Sequence, residues 1–308
     1  MSAVRRTGDG RILVLGASGN TGAPLTALLA DRGAAVRTAT RRTVPPDGGE
    51  HVRFDWGDPA THAPALAGVG RVYLVAPVGV ADPVPLVEPF LDRALRAGVR
   101  RVVLLGSSAV AAGDPGLGEV EALVRSAVPE WAVLKPSWFM QNFTGVHPLA
   151  EGIRRSGEIV TATGDGRLAF VDARDIAATA AALLLEEEWT NAEHLVTGPE
   201  ALGYADAAAL LTEVTGRPVR HVDVSPETLA GRLVAAGYEA GFAAALAALD
   251  TLVREGGQDA VADTVQRLTG RPPRSLRAFL TEHRDRLAVP ADRPERPTRR
   301  DGAAPSGG

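Results

Sequence analysis

Short apolar runs alternate with longer amphipathic stretches through the first half of the chain, and that alternation sets the first expectations. Residues 11–15 form a short apolar run of the kind a strand covered on both faces shows, and residues 35–39, 52–54, 71–75, 101–105 and 131–134 are further candidate strands. Between them, residues 59–66, 83–97 and 117–127 carry apolar positions at helical spacing. Repetition of strand and helix predicts an α/β fold built on a doubly wound, mostly parallel sheet. Ligands of such sheets bind beyond the C-terminal ends of the strands. Beyond about residue 145 the pattern changes. One further strand and helix (168–171, 175–185) and a strand at 194–197 precede helical stretches at 204–215, 226–236, 239–254 and 258–268, interrupted by a short strand at 218–224. The expected division is therefore residues 1–145 as a first domain built on that sheet and 146–287 as a mixed segment. That segment completes the sheet and forms a smaller, helix-rich substrate portion. Residues 288–308 contain almost no apolar side chains and are expected to be a disordered tail.

The most informative junction lies between the first strand and the first helix. Arg11 to Gly22 reads RILVLGASGNTG, an apolar run followed by glycines at 16, 19 and 22 and then by PLTALLADRGAAV. Gly16 permits a tight turn, Gly19 lets main chain approach a pyrophosphate, and Gly22 allows close helix–strand packing. The phosphates would then rest on amides at the helix start. The G-x-x-G-x-x-G spacing departs from the commoner G-x-G-x-x-G, but the strand before, helix after and second strand following supply the required context. At the end of the second strand, where an acidic residue would accept hydrogen bonds from a ribose, stand Thr40, Arg41 and Arg42. Two guanidiniums suit a 2′-phosphate, so NADP(H) is expected in preference to NAD(H). A solvated basic turn is the alternative reading.

Composition narrows the chemistry. The 308-residue chain has a net charge of −4 and no cysteine, which removes disulfides, thiolate chemistry and cysteine-ligated metals. No sustained basic stripe supports nucleic-acid binding. The N-terminal segment has no apolar signal core, and no apolar stretch approaches the ~20 residues of a membrane span. A soluble, cytoplasmic protein with a small-molecule substrate is expected, with a homodimer possible. No pair of histidines has metal-ligand spacing, so no metal is expected.

At LVLGASGNTG, FDWGDP, VYLVAP, RVVLLGSSAV, VLKPSWFMQNF, FVDARDIA and LVTGPEALGYADAAALLTEVTGRPV the chain resembles the NmrA-like atypical short-chain dehydrogenases. Within them it is most similar to bacterial relatives of the ergot-alkaloid-type (festuclavine and agroclavine dehydrogenase-like) reductases. The resemblance runs from about residue 11 to about residue 284 and implies a Rossmann-like fold that binds NADP(H). By motif it assigns Gly16, Ser18, Gly19, Asn20, Thr21 and Gly22 to the pyrophosphate loop and Arg41 to the 2′-phosphate. Asp55 and Trp56 would lie near the adenine, and Ala76 and Pro77 along the cofactor's edge. Ser107 and Ser108 would stand where the nicotinamide approaches, while Trp138, Phe139, Met140, Asn142 and Phe143 would frame the substrate face. Some members reduce quinones or iminium carbons; others sense the cofactor without turnover.

The catalytic residues are less legible. None of Tyr73, Tyr204 and Tyr238 is followed four residues later by lysine, so the Tyr-x-x-x-Lys dyad of ordinary short-chain dehydrogenases is absent. Relatives with Lys-x-x-x-Glu on the helix after the fifth strand match Glu121, but the lysine position holds Leu117. The missing acid points to an acceptor that needs little protonation: a cyclic iminium or imine, an enone or a quinone, as in secondary metabolism. Two other classes remain open, a non-catalytic NADP(H)-sensing regulator and an isomerase or cyclase with a structural cofactor. Lys135, the only lysine, reads either as a contact to the nicotinamide ribose or as a salt bridge at a strand end. Ser107 and Ser108 read as carboxamide contacts or local caps, and Asn142 as a carboxamide contact or a turn. His147 falls close to the expected pocket, but its first reading is a surface histidine, with a pocket position as the alternative. Asp172 and Asp175 are expected to cap and open the helix DIAATAAALLL.

Overall fold

The computed structural model describes residues 10–42 and 50–287; the expected tail at 288–308 lies outside them. Strand β1 (Arg11–Leu15) shows why the apolar runs become central strands. Leu13 and Leu15 enter one apolar cluster and Ile12 and Val14 the other, so successive side chains fill cores on opposite faces. With β2 (Val36–Thr40), β3 (His51–Arg53), β4 (Val69–Leu74), β5 (Arg101–Leu105) and β6 (Glu130–Pro136) it forms most of a seven-stranded sheet. Four helices, α1 (Gly22–Asp31), α2 (His62–Leu66), α3 (Val84–Arg96) and α4 (Leu117–Ala127), lie between these strands.

After β6 come α5 (Pro148–Ser156), β7 (Glu158–Thr161), β8 (Arg167–Leu168), α6 (Ala173–Leu185) and β9 (Ala192–Val196). Strand β9 pairs with β6 and completes the order β3-β2-β1-β4-β5-β6-β9, parallel throughout. Chain direction across the sheet reverses between β1 and β4, which opens a crevice at their C-terminal ends. Helices α2, α3 and α4 cover one face through Leu66, Phe90 and Val124; α1 and α6 cover the other through Leu25, Leu29 and Ile176. This is a doubly wound, Rossmann-like α/β fold.

The remaining elements are β10 (Leu202–Gly203), α7 (Tyr204–Thr215), β11 (Arg220–Asp223), α8 (Pro226–Ala235), α9 (Ala240–Arg254), α10 (Thr264–Thr269), α11 (Leu276–Glu282) and α12 (Arg284–Leu287). β11 pairs parallel with β7, and β10 antiparallel with β8. These small sheets and helices gather around Phe143, Phe170, Leu211 and Phe279, a cluster separate from the two beneath the main sheet.

Several expected boundaries shift. The helix expected at 258–268 begins only at Thr264, because Gly256 and Gly257 adopt φ of +90° and +86° and Thr197 Oγ1 holds the Ala262 amide at 3.0 Å. Residues 168–171 contribute only Leu168 to a strand; Val171 instead bridges to Phe139. The stretch expected as one helix at 59–66 divides into a 3₁₀ turn and α2. Helix α5 and strand β7 were not expected, although Pro148 opens that helix and Gly157, at φ +69°, ends it. Among the described residues no helix is long and apolar enough to cross a membrane.

Candidate cofactor groove and acceptor cavity

The glycine turn is built around one carbonyl. Gly16 follows β1 at φ +64°, and its oxygen accepts the Gly19 amide at 2.8 Å. A Cβ on Gly22 would lie 2.2 Å from that same oxygen, and one on Gly19 would lie 3.2 Å from it. Thr21 is buried, and its Oγ1 accepts a hydrogen bond from the Tyr73 hydroxyl at 3.0 Å, which bolts the turn to β4. Burial pushes the Tyr73 phenol far above its ordinary range. Ser18, Gly19 and Asn20 remain exposed. Helix α1 has no side-chain cap and no acidic residue in its first turn. Its amide end is thus suited to an anion, and the absent side chains leave room for a diphosphate to approach. The Gly19 amide itself is spent on closing the turn.

The neighbouring strand ends carry the other expected cofactor contacts. Arg41 and Arg42 follow β2 and are exposed; the Arg42 carbonyl accepts from His51 Nε2 at 2.9 Å. Among the described residues neither guanidinium takes part in an ion pair. After β3, Asp55 Oδ1 accepts the Gly57 amide at 3.0 Å, and the Trp56 ring packs edge-on against Phe54 and Phe90. Ala76 and Pro77 are half-buried after β4. Gly16, Arg41, Asp55 and Ala76 therefore stand at the C-terminal ends of four adjacent strands.

Beyond β5 and β6 lies a cavity of 280 Å³. Its walls include Ser107, Trp138, Phe139, Asn142 and His147, and helices α8 and α9 roof it with Leu229, Leu233, Leu246 and Leu249. His147 caps α5 by accepting the Leu149 amide at 3.2 Å through Nδ1. Burial pushes it down to about 4, so it is neutral near pH 7. The surface reading of this histidine does not hold.

Other expected site residues lie elsewhere. Met140 and Phe143 are 0% and 1% exposed inside an apolar cluster, because the 3₁₀ turn after Phe139 rolls them beneath the cavity wall. The Ser108 amide donates to the Pro136 carbonyl at 3.0 Å, and its hydroxyl lies 3.5 Å from Gln258 Oε1. Of the two readings of Lys135, the structure contains the salt bridge. Its Nζ donates to Glu121 Oε2 at 2.5 Å and to the Val110 carbonyl at 2.6 Å. The ammonium absent at position 117 thus reaches Glu121 from β6. Asp172 caps α6, accepting the Arg174 amide at 2.9 Å, and also binds Gln141 and Arg274.

Among the polar lining residues, Thr161 on β7, Tyr204 at the start of α7 and Asp250 on α9 had no signal in the sequence. Tyr204 is 3% exposed, and burial beside the Asp250 charge raises its phenol well above the usual range. No ammonium lies against it to reverse that shift, since Lys135 is held by Glu121.

Comparison with known proteins agrees with this architecture. Residues 8–268 match the NmrA-like family. The chain is 42% identical over 273 residues to the uncharacterized oxidoreductase YesF of Bacillus subtilis (strain 168), covering 88% of this chain and 94% of that one. It is 35% identical to an agroclavine dehydrogenase of Claviceps fusiformis, covering 89% and 97% of the two chains. The fold is also that of the NADPH-dependent quinone oxidoreductase QOR2 of Escherichia coli complexed with NADPH (TM-score 0.76, 24% identity, 88% and 99% covered). A match that runs from before β1 to within α10 places this chain in the NmrA-like family.

Proposed function

We propose that this protein is an NADPH-dependent reductase of a small electrophilic acceptor, a cyclic iminium or imine, an enone or a quinone. The observation that carries the reading is the pairing, on one sheet edge, of an uncapped glycine turn with a largely apolar 280 Å³ cavity. The agroclavine dehydrogenase among its relatives supports a redox enzyme, and the quinone oxidoreductase of the same fold supports the quinone class by name.

The residues fit a dinucleotide. Ser18, Asn20, Thr21 and Gly22 would hold the diphosphate, Arg41 and Arg42 the 2′-phosphate, Asp55 and Trp56 the adenine end, and Ala76, Pro77 and Ser107 the remainder. When bound, the reduced nicotinamide supplies a hydride. Trp138, Phe139 and the leucines of α8 and α9 exclude water and orient a flat acceptor. Burial and the Asp250 charge make Tyr204 a weaker acid than an ordinary tyrosine, which disfavours it as proton donor to an oxyanion. The site therefore suits an acceptor whose C=N π electrons return to a cationic nitrogen, because no proton is then required. An activated quinone could take its protons from solvent.

NADPH should be consumed, followed at the reduced-nicotinamide absorbance band, when a panel of cyclic iminium salts and quinones is supplied. Silence across the panel would reject the reductase reading. Arg41→Ala is expected to weaken NADPH binding about ten- to a hundredfold while leaving NADH nearly unchanged, by calorimetry. Equal loss for both would place the 2′-phosphate elsewhere.

A further inference from the structure

Among the described residues lining the cavity, Asp250 alone carries a charge near pH 7. It stands on α9 next to Leu249 and one turn from Leu246, and is 9% exposed. Its Oδ2 accepts the Ala162 amide at 2.8 Å, and among the described residues no ion pair reaches the carboxylate. The cation one turn further along, Arg254, is committed elsewhere. Its Nε donates to the Ala162 carbonyl at 2.7 Å and its Nη2 to Asp223 at 2.6 Å. Burial raises the Asp250 carboxyl to about 6, which still leaves it predominantly ionised at neutral pH. The Arg254 charge opposes that rise only from a distance, so the carboxylate is held against leucines with no direct ion pair, which costs folding free energy that a cationic ligand in the cavity offsets.

We infer that Asp250 is a specificity-determining residue that makes the cavity select cationic acceptors, those with an iminium or quaternised ring nitrogen, over neutral molecules of the same outline. The inference rests on the cavity being the acceptor site. A purely structural Asp250 would need only the Ala162 hydrogen bond, which an asparagine oxygen also accepts. A charge-selecting Asp250 needs the negative charge itself.

Binding separates the two without requiring turnover. The full chain, with NADP⁺ present, is titrated by calorimetry with N,N-dimethyltetrahydroisoquinolinium and with its uncharged carbon analogue 2,2-dimethyltetralin. The cation should bind about 10–100-fold tighter than the neutral analogue. Asp250→Asn should erase that preference while changing affinity for the neutral analogue less than about threefold, and Asp250→Glu should retain much of it. No preference in the unaltered protein, or a preference that survives Asp250→Asn, overturns the inference. If Asp250→Asn does not fold, Asp250→Ser, smaller and uncharged, takes its place: loss of the cation preference supports the inference, and its persistence overturns it. Cation preference without NADPH consumption on any acceptor would instead reject the reductase reading and leave the cation site standing.

Discussion

Gly22→Ala is expected to remove NADPH binding altogether and to destabilise the fold by about 2–4 kcal/mol. The new methyl would meet the Gly16 oxygen at 2.2 Å, its carbon at 2.8 Å and Ala17 Cα at 2.9 Å, all of them main-chain atoms. No side chain can rotate away, so the turn itself must move. Tyr73 holds Thr21, and Gly19 holds Gly16, which leaves the loop little freedom to yield. Gly231→Ala provides the contrast. Its Cβ would meet nothing within 4 Å at an exposed position of α8, and replacing that helical glycine should raise stability by about 0.5–1 kcal/mol. Thermal unfolding and a NADPH titration on both variants test the pair. A Gly22→Ala protein that binds NADPH normally would show that the turn is not a phosphate cradle.

The second large effect belongs to Lys135→Met. The Glu121 side chain is 1% exposed and that of Lys135 is 8% exposed, so removal of the ammonium strands a carboxylate in the interior. Arg125 also contacts Glu121, at 3.2 Å, but its side chain is 35% exposed and it is shared with Glu193. Breaking one side of such a buried pair costs about 3–5 kcal/mol, read from urea unfolding. The double variant Lys135→Met/Glu121→Gln should recover much of that loss, since the stranded charge is gone. If Lys135 instead served the cofactor, the single variant would lose NADPH affinity and keep its stability.

These two positions also show how far the sequence could be read. The glycine turn was legible because a backbone constraint is written locally: three glycines between an apolar run and a helix admit few conformations. Asp172 as a cap was legible for the same reason, since its side chain bonds an amide two residues on. Lys135 was left between two readings because its partner is 14 residues away on another element. The rolled-under positions of Met140 and Phe143 depended on the Val171 carbonyl, which accepts the Met140 amide. Nothing near residue 140 announces that bond.

By itself, then, the sequence determined the layer architecture, the order of strands and helices as far as β6, and the glycine turn after β1 where a dinucleotide is proposed to lie. Periodicity and turn chemistry act over a few residues, and a parallel sheet leaves them few ways to combine. Only the tertiary structure decided which polar groups face the cavity. Tyr204 and Asp250 lie more than 60 residues beyond the glycine–serine segment after β5, and they meet it because helices α7 and α9 close over the sheet edge. That closure is set by how apolar surfaces pack at long range, a property of the whole chain that no local pattern records.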